Sequence, residues 1–422
     1  MPAGDAQPER LALHGGKPVK ETPYAHAPKH GLDEWEAIRP IFERGSIEMA
    51  RGPEVMRLRE EFCKLFGRKY AVTASSGTAA LHIAMAALDI GRGDEVITSP
   101  ITDMGTAIAI MQQNAVPIFA DVDPLTLMIT PESISAKITP RTRAIIVVHW
   151  DGMAADMTGI MRVARKHRLA VVEDMAQSYL TKHAGRYAGT FGDVACWSLN
   201  ESKHIGAGDG GILLTDKRKL AERAELFADK CYDRARGVMD PFFAAYNYRL
   251  NTLVAGVALA QMKKLRRIIA RRHAYGTRLD RALSRIAGVV PRPVAKGDYA
   301  TYWYYTYHIQ PEVLGCTVEE FVRALKAEGV RGEAFKRSLM DWTLFREHRL
   351  NRHACMDSCP FYKGPRPDYD TRHYPGLVRA NQTTIRMFFR EFYTPQDIAE
   401  TIAGIRKVAA WFRWQKERGR AR

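Results

Sequence analysis

The chain has 422 residues, 46% of them hydrophobic, and a formal net charge of +16 from 63 Lys and Arg against 47 Asp and Glu; this is the make-up of a folded globular chain with room for one large and one smaller domain. No apolar run approaches the roughly 20 residues of a membrane-spanning helix, the N-terminus lacks the basic-then-apolar layout of a signal peptide, and the six cysteines are too scattered for a disulfide framework. These features argue against a membrane-crossing helix and a disulfide-stapled fold, and a cytoplasmic enzyme with reduced thiols and no membrane partner is expected.

Residues 1–30 read as an irregular N-terminal arm. Asp33–Phe42 and Pro53–Phe66 then carry apolar residues at three-to-four spacing, as amphipathic helices do. Strands follow at Tyr70–Ala74, Glu95–Thr98, Val116–Val122, Thr142–His149 and Ala170–Asp174, with helices predicted at Thr78–Leu88, Thr106–Gln113 and Ile160–His167. Continuous β-branched runs separated by helices describe a mostly parallel sheet covered on both faces, with ligands at the carboxyl ends of its strands. A helical pattern from about Asn251 to Arg285 leads into a second region. There Tyr302–Ile309 and Thr384–Phe389 are β-prone, Val318–Gly329 is helical, and a proline opens an amphipathic helix at Pro395. The division expected is an arm at 1–30, a large domain at 31–265 and a small C-terminal domain at 266–422. Met340–Arg379 has little periodicity and reads as a long functional loop.

Part of the positive excess lies in Lys263–His273 and Arg413–Arg422. Charge at helical spacing is usually a solvated face, and no stacking aromatics or nucleic-acid module accompany it, so phosphorylated substrates are expected ahead of nucleic acid. His353, Cys355 and Cys359 form the one cluster of metal-ligand residue types. Without a second cluster at zinc-finger spacing it reads as a solvated loop, and no metal is expected.

Ser75-Ser-Gly-Thr78 follows a strand and opens a helix, so hydroxyls and free backbone amides meet where a helix N-terminus favours an anion. An isolated turn of this kind reads as a cap. Its place before Asp174, which ends a strand, and Lys203, which precedes a glycine-rich turn, changes that weighting. Pyridoxal 5′-phosphate chemistry needs a lysine amine to form a Schiff base and a carboxylate to keep the pyridine nitrogen protonated. Lys203 and Asp174 suit those two needs; without the acid and the phosphate cup, Lys203 would read as a surface lysine capping the glycine turn.

The ordered segments Ala74–Leu81, Gly93–Ile97, Pro117–Asp123, Val148–His149, Glu173–Gln177, Gly189–Asp193, Ser198–Gly211 and Tyr246–Leu250 resemble the DegT/StrS family of pyridoxal-phosphate-dependent sugar aminotransferases over most of the chain. The resemblance implies fold type I: a large α/β domain with a mostly parallel seven-stranded sheet flanked by helices, and a smaller C-terminal α/β domain. It makes Lys203 the Schiff-base lysine and proton shuttle and pairs Asp174 with the pyridine nitrogen. It sets Gln177 near the phenolic oxygen or ring, and Ser76, Gly77, Thr78 and Ser198 at the phosphate. An asparagine matching Asn247, otherwise readable as a turn residue, reaches the neighbouring subunit's phosphate in the family, which implies a homodimer with a shared active site. The implied reaction carries nitrogen from glutamate or glutamine to a keto-sugar, nucleotide-linked or not, or to a keto-cyclitol, in a ping-pong cycle.

Three positions depart from the family pattern. Asp103 occupies the slot of the aromatic residue that covers the cofactor ring, Tyr179 stands where histidine is frequent, and Asn200 where histidine or tyrosine is frequent. Facing the substrate side, these residues bear on the nucleotide-sugar substrate more than on the cofactor. Arg249, Arg386, Lys336 and the aromatic run 302–307 are further candidates for substrate contact, each with an equally good structural explanation. Two alternatives stay open. One is a dehydratase or eliminating enzyme, although family members that dehydrate commonly replace the lysine; the other is a basic binding protein with a vestigial cofactor site.

Overall fold

The β-branched runs assemble into one seven-stranded sheet in the computed structural model, which describes residues 8–347 and 359–419. Its strands are β1 (Tyr70–Ala74), β2 (Glu95–Thr98), β3 (Val116–Phe119), β4 (Thr142–Val148), β5 (Ala170–Asp174), and, beyond a small hairpin of β6 (Lys182–His183) and β7 (Arg186–Tyr187), β8 (Val194–Ser198) and β9 (Gly211–Thr215). The spatial order is β1-β9-β8-β5-β4-β2-β3, parallel except for β9, which runs antiparallel to both neighbours. Alternation along β8 shows why the sheet is buried twice. Val194 and Cys196 pack on one face with the Gly77–Ala87 helix, while Ala195 and Trp197 pack on the other with the Pro53–Phe66 helix. The Gly77–Ala87 helix is mostly apolar, with His82 as its buried polar exception, and every residue from Ala79 to Ala87 is buried, as a helix enclosed between a sheet and other helices requires.

β9 brings two distant segments together. Gly211 is paired with Ala74 on one side and Ser198 on the other, so the turn after β1 and the end of β8 become neighbours at the carboxyl edge. A Cβ on Gly211 would lie 2.1 Å from the carbonyl oxygen of Ser76, so only glycine lets the backbones approach this closely.

A 32-residue helix, Thr252–Leu283, runs without interruption through residues 265 and 266, where the sequence reading sets the domain boundary. It leads to a four-stranded antiparallel sheet of β10 (Val289–Pro291), β11 (Tyr304–Ile309), β12 (Glu333–Ala334) and β13 (Thr384–Phe388), ordered β10-β11-β13-β12. The helix Pro395–Gly419 closes this half against the long helix. The arm is bound to the same half. Lys20 lies between the carboxylates of Asp397 and Glu400, each at 2.7 Å, and Glu328 accepts from the backbone amides of Ala12 and Val19 at 2.7 and 3.1 Å.

The expected long functional loop is corrected in its described part. It carries the helices Thr343–Arg346 and Pro375–Thr383, and its tyrosines bond along β2 and β3: Tyr362 Oη donates to Glu95 at 3.0 Å and Tyr369 Oη to the Pro117 carbonyl at 2.8 Å. Polar and aromatic composition disguised a packing role. Of the cysteine–histidine cluster, His353 and Cys355 lie outside the described residues, and Cys359 is buried with Val116 and Tyr362. No helix among the described residues is long and apolar enough to cross a membrane.

Candidate active site

The carboxyl edge of the sheet holds a cavity of about 320 Å³ that brings together Ser76, Gly77, Thr78, Asp174, Gln177, Ser198 and Lys203. Asn247 is not among its walls. That side chain is exposed in the loop before the long helix, where its backbone bridges to Asp229.

Asp174 ends β5 between Val148 of β4 and Cys196 of β8 and is buried. Its Oδ1 accepts from the Ala176 amide at 3.0 Å and its Oδ2 from Thr106 Oγ1 at 2.9 Å, while Thr106 is joined to Thr102 at 2.7 Å. Burial pushes its pKa up, opposed by the Ala176 amide, Thr106 and the nearby Lys203 charge. Thr106 was missed as a site residue because it reads as the first residue of a helix. The helix begins at Met104 instead, with Asp103 as its cap accepting from the Gly105 amide at 3.0 Å.

The next-door carboxylate, Glu173, points to the other face of the strand. It accepts from the amides of Gly189, Phe191 and Gly192, each at 2.7 Å, and bonds to His149 Nε2 at 3.1 Å. Burial acts to raise its pKa, but the His149 hydrogen bond and these amides hold it below the ordinary value. Because His149 Nδ1 accepts from the Ala155 amide, Nε2 carries the proton given to Glu173.

The turn expected to hold a phosphate offers backbone amides at the start of the Gly77–Ala87 helix. Ser76 caps the helix, accepting from the Ala79 amide at 3.0 Å, and a Cβ on Gly77 would meet Ser198 Cβ at 2.7 Å. The first amides of a helix have no partner within it. Ser198 Oγ is set beside this turn and accepts from the Asn200 amide at 3.2 Å. A glycine-lined turn with free helix-start amides, a buried acid and a half-buried amine are the set that a phosphorylated pyridine aldehyde needs, and the residues present fit it.

Lys203 is enclosed by both halves of the molecule. Its Nζ stands 4.1 Å from the ring centroid of Trp303, just ahead of β11, whose indole N–H donates to the Ser202 carbonyl at 2.7 Å. Burial lowers the lysine pKa, against the pull of Asp174 and Asp103. From the arm, Lys29 Nζ donates to the carbonyls of Glu201, at 2.8 Å, and of Lys203 itself. Nothing in the composition of residues 1–30 signals that contact.

Of the three departures, Asp103 and Asn200 line the cavity but Tyr179 does not. This corrects its reading as a substrate-side residue: Tyr179 is fully buried against Phe62 and His204, and its hydroxyl donates to the Ser198 carbonyl at 2.8 Å. An aromatic ring at this position holds the strand end rather than the substrate. Arg386 is also behind the wall, bound to Asp151 at 2.7 and 3.1 Å with its guanidinium 5.4 Å from the Trp303 ring. Arg249 pairs with Asp229 at 2.9 Å, and exposed Lys336 pairs with Glu319 at 2.8 Å; neither reaches the cavity. Trp303 alone of the aromatic run 302–307 lines it.

Residues 28–359 match the model of the DegT/DnrJ/EryC1/StrS aminotransferase family. A Streptoalloteichus tenebrarius protein provisionally named L-glutamine:3-amino-2,3-dideoxy-scyllo-inosose aminotransferase is 34% identical over 366 residues, 81% of this chain and 86% of its own. The Bacillus subtilis spore coat polysaccharide biosynthesis protein SpsC is 34% identical over 316 residues, covering 72% of this chain and 80% of its own. Among solved structures, the aminotransferase TlmJ of Streptoalloteichus hindustanus superposes with a TM-score of 0.77 at 27% identity, over 92% of this chain and 98% of its own. The chain belongs to the DegT/DnrJ/EryC1/StrS aminotransferase family and is a pyridoxal-phosphate-dependent aminotransferase.

Proposed function

We propose that this enzyme moves an amino group from glutamate or glutamine to the ketone of a sugar or cyclitol, with Lys203 holding the cofactor and then shuttling the proton. The observation that carries this reading is the meeting of Lys203, Asp174 and the Ser76–Thr78 cup in one cavity at the carboxyl edge of the sheet. When bound, pyridoxal phosphate supplies an electron sink that makes the carbon bearing the nitrogen acidic. Asp174, oriented by Thr106 and the Ala176 amide, keeps the ring nitrogen protonated. Ser76, Gly77, Thr78 and Ser198 would hold the phosphate, and Gln177, whose Oε1 accepts from the Asp151 amide at 3.0 Å, would contact the cofactor near its phenolic oxygen or ring. Burial lowers the Lys203 pKa against the pull of Asp174 and Asp103, the direction that a lysine acting as general base needs.

The lining contains no arginine and Lys203 as its one lysine, while Asp103 and Asp209 present exposed carboxylates. Within this chain that favours an uncharged or amine-bearing keto-cyclitol over a nucleotide diphosphate sugar, and the keto-inosose named for the Streptoalloteichus tenebrarius relative has that chemistry. Asn247 completes the phosphate site of a second copy in a homodimer; Val238, Met239 and Phe242 are exposed in the same loop, as residues awaiting a subunit contact would be. The arm ends near residue 30, the large and small domains are joined near residue 265 by the continuous Thr252–Leu283 helix, and the enzyme works in the cytoplasm.

The test is a two-step reaction. L-Glutamine or L-glutamate should discharge the yellow band of the loaded enzyme, and a keto-cyclitol should restore it while gaining nitrogen. Release of water or ammonia from the substrate without nitrogen transfer would establish an eliminating enzyme instead.

A further inference from the structure

The arm touches the loop of Lys203 at the backbone. Lys29 Nζ donates to the carbonyls of Glu201, at 2.8 Å, and of Lys203, and the His30 ring bonds to the Gly206 carbonyl at 2.8 Å. The loop's own hydrogen bonds use other carbonyls: Glu201 N donates to Gly208 at 3.0 Å, Lys203 N to Asn200 at 3.0 Å and Ala207 N to Leu199 at 2.8 Å. With Trp303 on the Ser202 carbonyl, the reactive segment is gripped from outside by the arm and by the second sheet. At its other end the arm is fixed to the C-terminal helix by Lys20 on Asp397 and Glu400 and by Tyr24 Oη on Thr401 at 2.7 Å.

We propose that Lys29 is a positioning residue for the reaction, fixing the backbone from which Lys203 projects, and that residues 20–30 form a strap tying the C-terminal helix to that backbone. The inference rests on Lys203 being the lysine that holds the cofactor. Fixing the carbonyl of Lys203 fixes the backbone torsion that aims its side chain, and a misplacement of about 1 Å costs on the order of 100-fold in rate.

The charge on Lys29 matters as well as its reach. Burial lowers its pKa to about 8; Glu201 of the loop and Glu391 act to raise it, and Arg272 of the long helix and Arg390 act to lower it. Lys264, Arg267 and Arg271 of the long helix line the adjoining cavity with Glu391, and the nearby His204 is kept neutral by burial. As an ammonium, Lys29 makes charge-assisted hydrogen bonds to the two carbonyls; as a neutral amine it still has two N–H donors, but each bond loses that charge assistance and is weaker. The clamp is therefore complete below about pH 8 and weakens above it.

The experiment compares the full-length native protein with Lys29→Met, Lys29→Arg and His30→Ala. The readouts are amide exchange over residues 200–207 in the cofactor-free protein, the rate at which Lys203 captures added pyridoxal phosphate, and melting temperature. The expected result for Lys29→Met is exchange faster by about tenfold or more confined to 200–207, with capture slowed about 10- to 100-fold. Lys29→Arg should restore both at pH 7 and hold them above pH 9, where the native protein loses ground. His30→Ala removes one carbonyl contact and should give a smaller shift in the same direction, which keeps the test open if Lys29→Met does not fold. Native exchange and capture in Lys29→Met, or exchange raised equally across the whole chain, would overturn the proposal. Borohydride labelling of the native protein separates the two failures. A label on another lysine removes the Lys203 reading; a label on Lys203 with unaltered Lys29→Met behaviour removes only the clamp.

Discussion

Replacing Gly77 by alanine tests whether the turn after β1 is a phosphate cup or only a helix cap. The new methyl group would sit 2.7 Å from Ser198 Cβ, 3.1 Å from its Oγ and 3.2 Å from its Cα. Ser198 cannot withdraw, because β8 is hydrogen-bonded between β5 and β9, so the helix start must shift by a few tenths of an ångström. Overpacking of this kind costs about 1–3 kcal/mol. If the cofactor-free protein relieves the strain by moving the helix start and bound phosphate demands its return, that cost falls on binding and weakens it about 5- to 150-fold. Gly91→Ala is the control, since a Cβ there meets nothing within 4 Å. Fluorescence titration of the apoprotein with pyridoxal phosphate, together with melting curves with and without it, gives both numbers. Equal melting losses in the two forms with unchanged cofactor affinity would refute the cup.

Glu173→Gln should cost about 2–3 kcal/mol of stability, because the amide turns N–H toward a site that offers four donors. Since Glu173 is held below its ordinary value of 4.5 when folded, its stabilisation is present above about pH 4.5 and lost as pH falls through the folded value; urea titrations at several pH values should show a shallower acid loss in the variant, and parallel curves would count against it. Trp303→Leu removes a cation–π contact worth about 0.5–2 kcal/mol to the charged form of Lys203. Acylation of Lys203 in the apoprotein, followed by peptide mass spectrometry at fixed pH, should then speed up by about 2- to 30-fold. Asn247→Ala and Lys203→Ala subunits, each inactive alone, should recover activity when mixed and reassembled, because one composite site then carries neither change; no recovery would refute the shared site.

The carboxyl-edge half of this site was legible because strand ends and turns leave marks in a sequence. Asp174 closes an apolar run, the Ser-Gly-Thr turn joins a strand to a helix, and a glycine-rich stretch follows Lys203. What joins them was not legible: β9 runs antiparallel, and its register places Gly211 between Ala74 and Ser198. Contacts made at long range left no local sign either. Lys29 and Trp303 reach Lys203 from 174 and about 100 positions away in the chain. Tyr179 was misjudged for a related reason. Its direction is set by Phe62 and the Ser198 carbonyl, neither of which its neighbours in sequence announce.

The most direct measurement is borohydride reduction of the pyridoxal-phosphate-loaded enzyme followed by peptide mapping. The account predicts the cofactor fixed to Lys203, and a Lys203→Ala protein that takes no label and shows no yellow band. A cofactor fixed to any other lysine, or an undiminished band in Lys203→Ala, would contradict it.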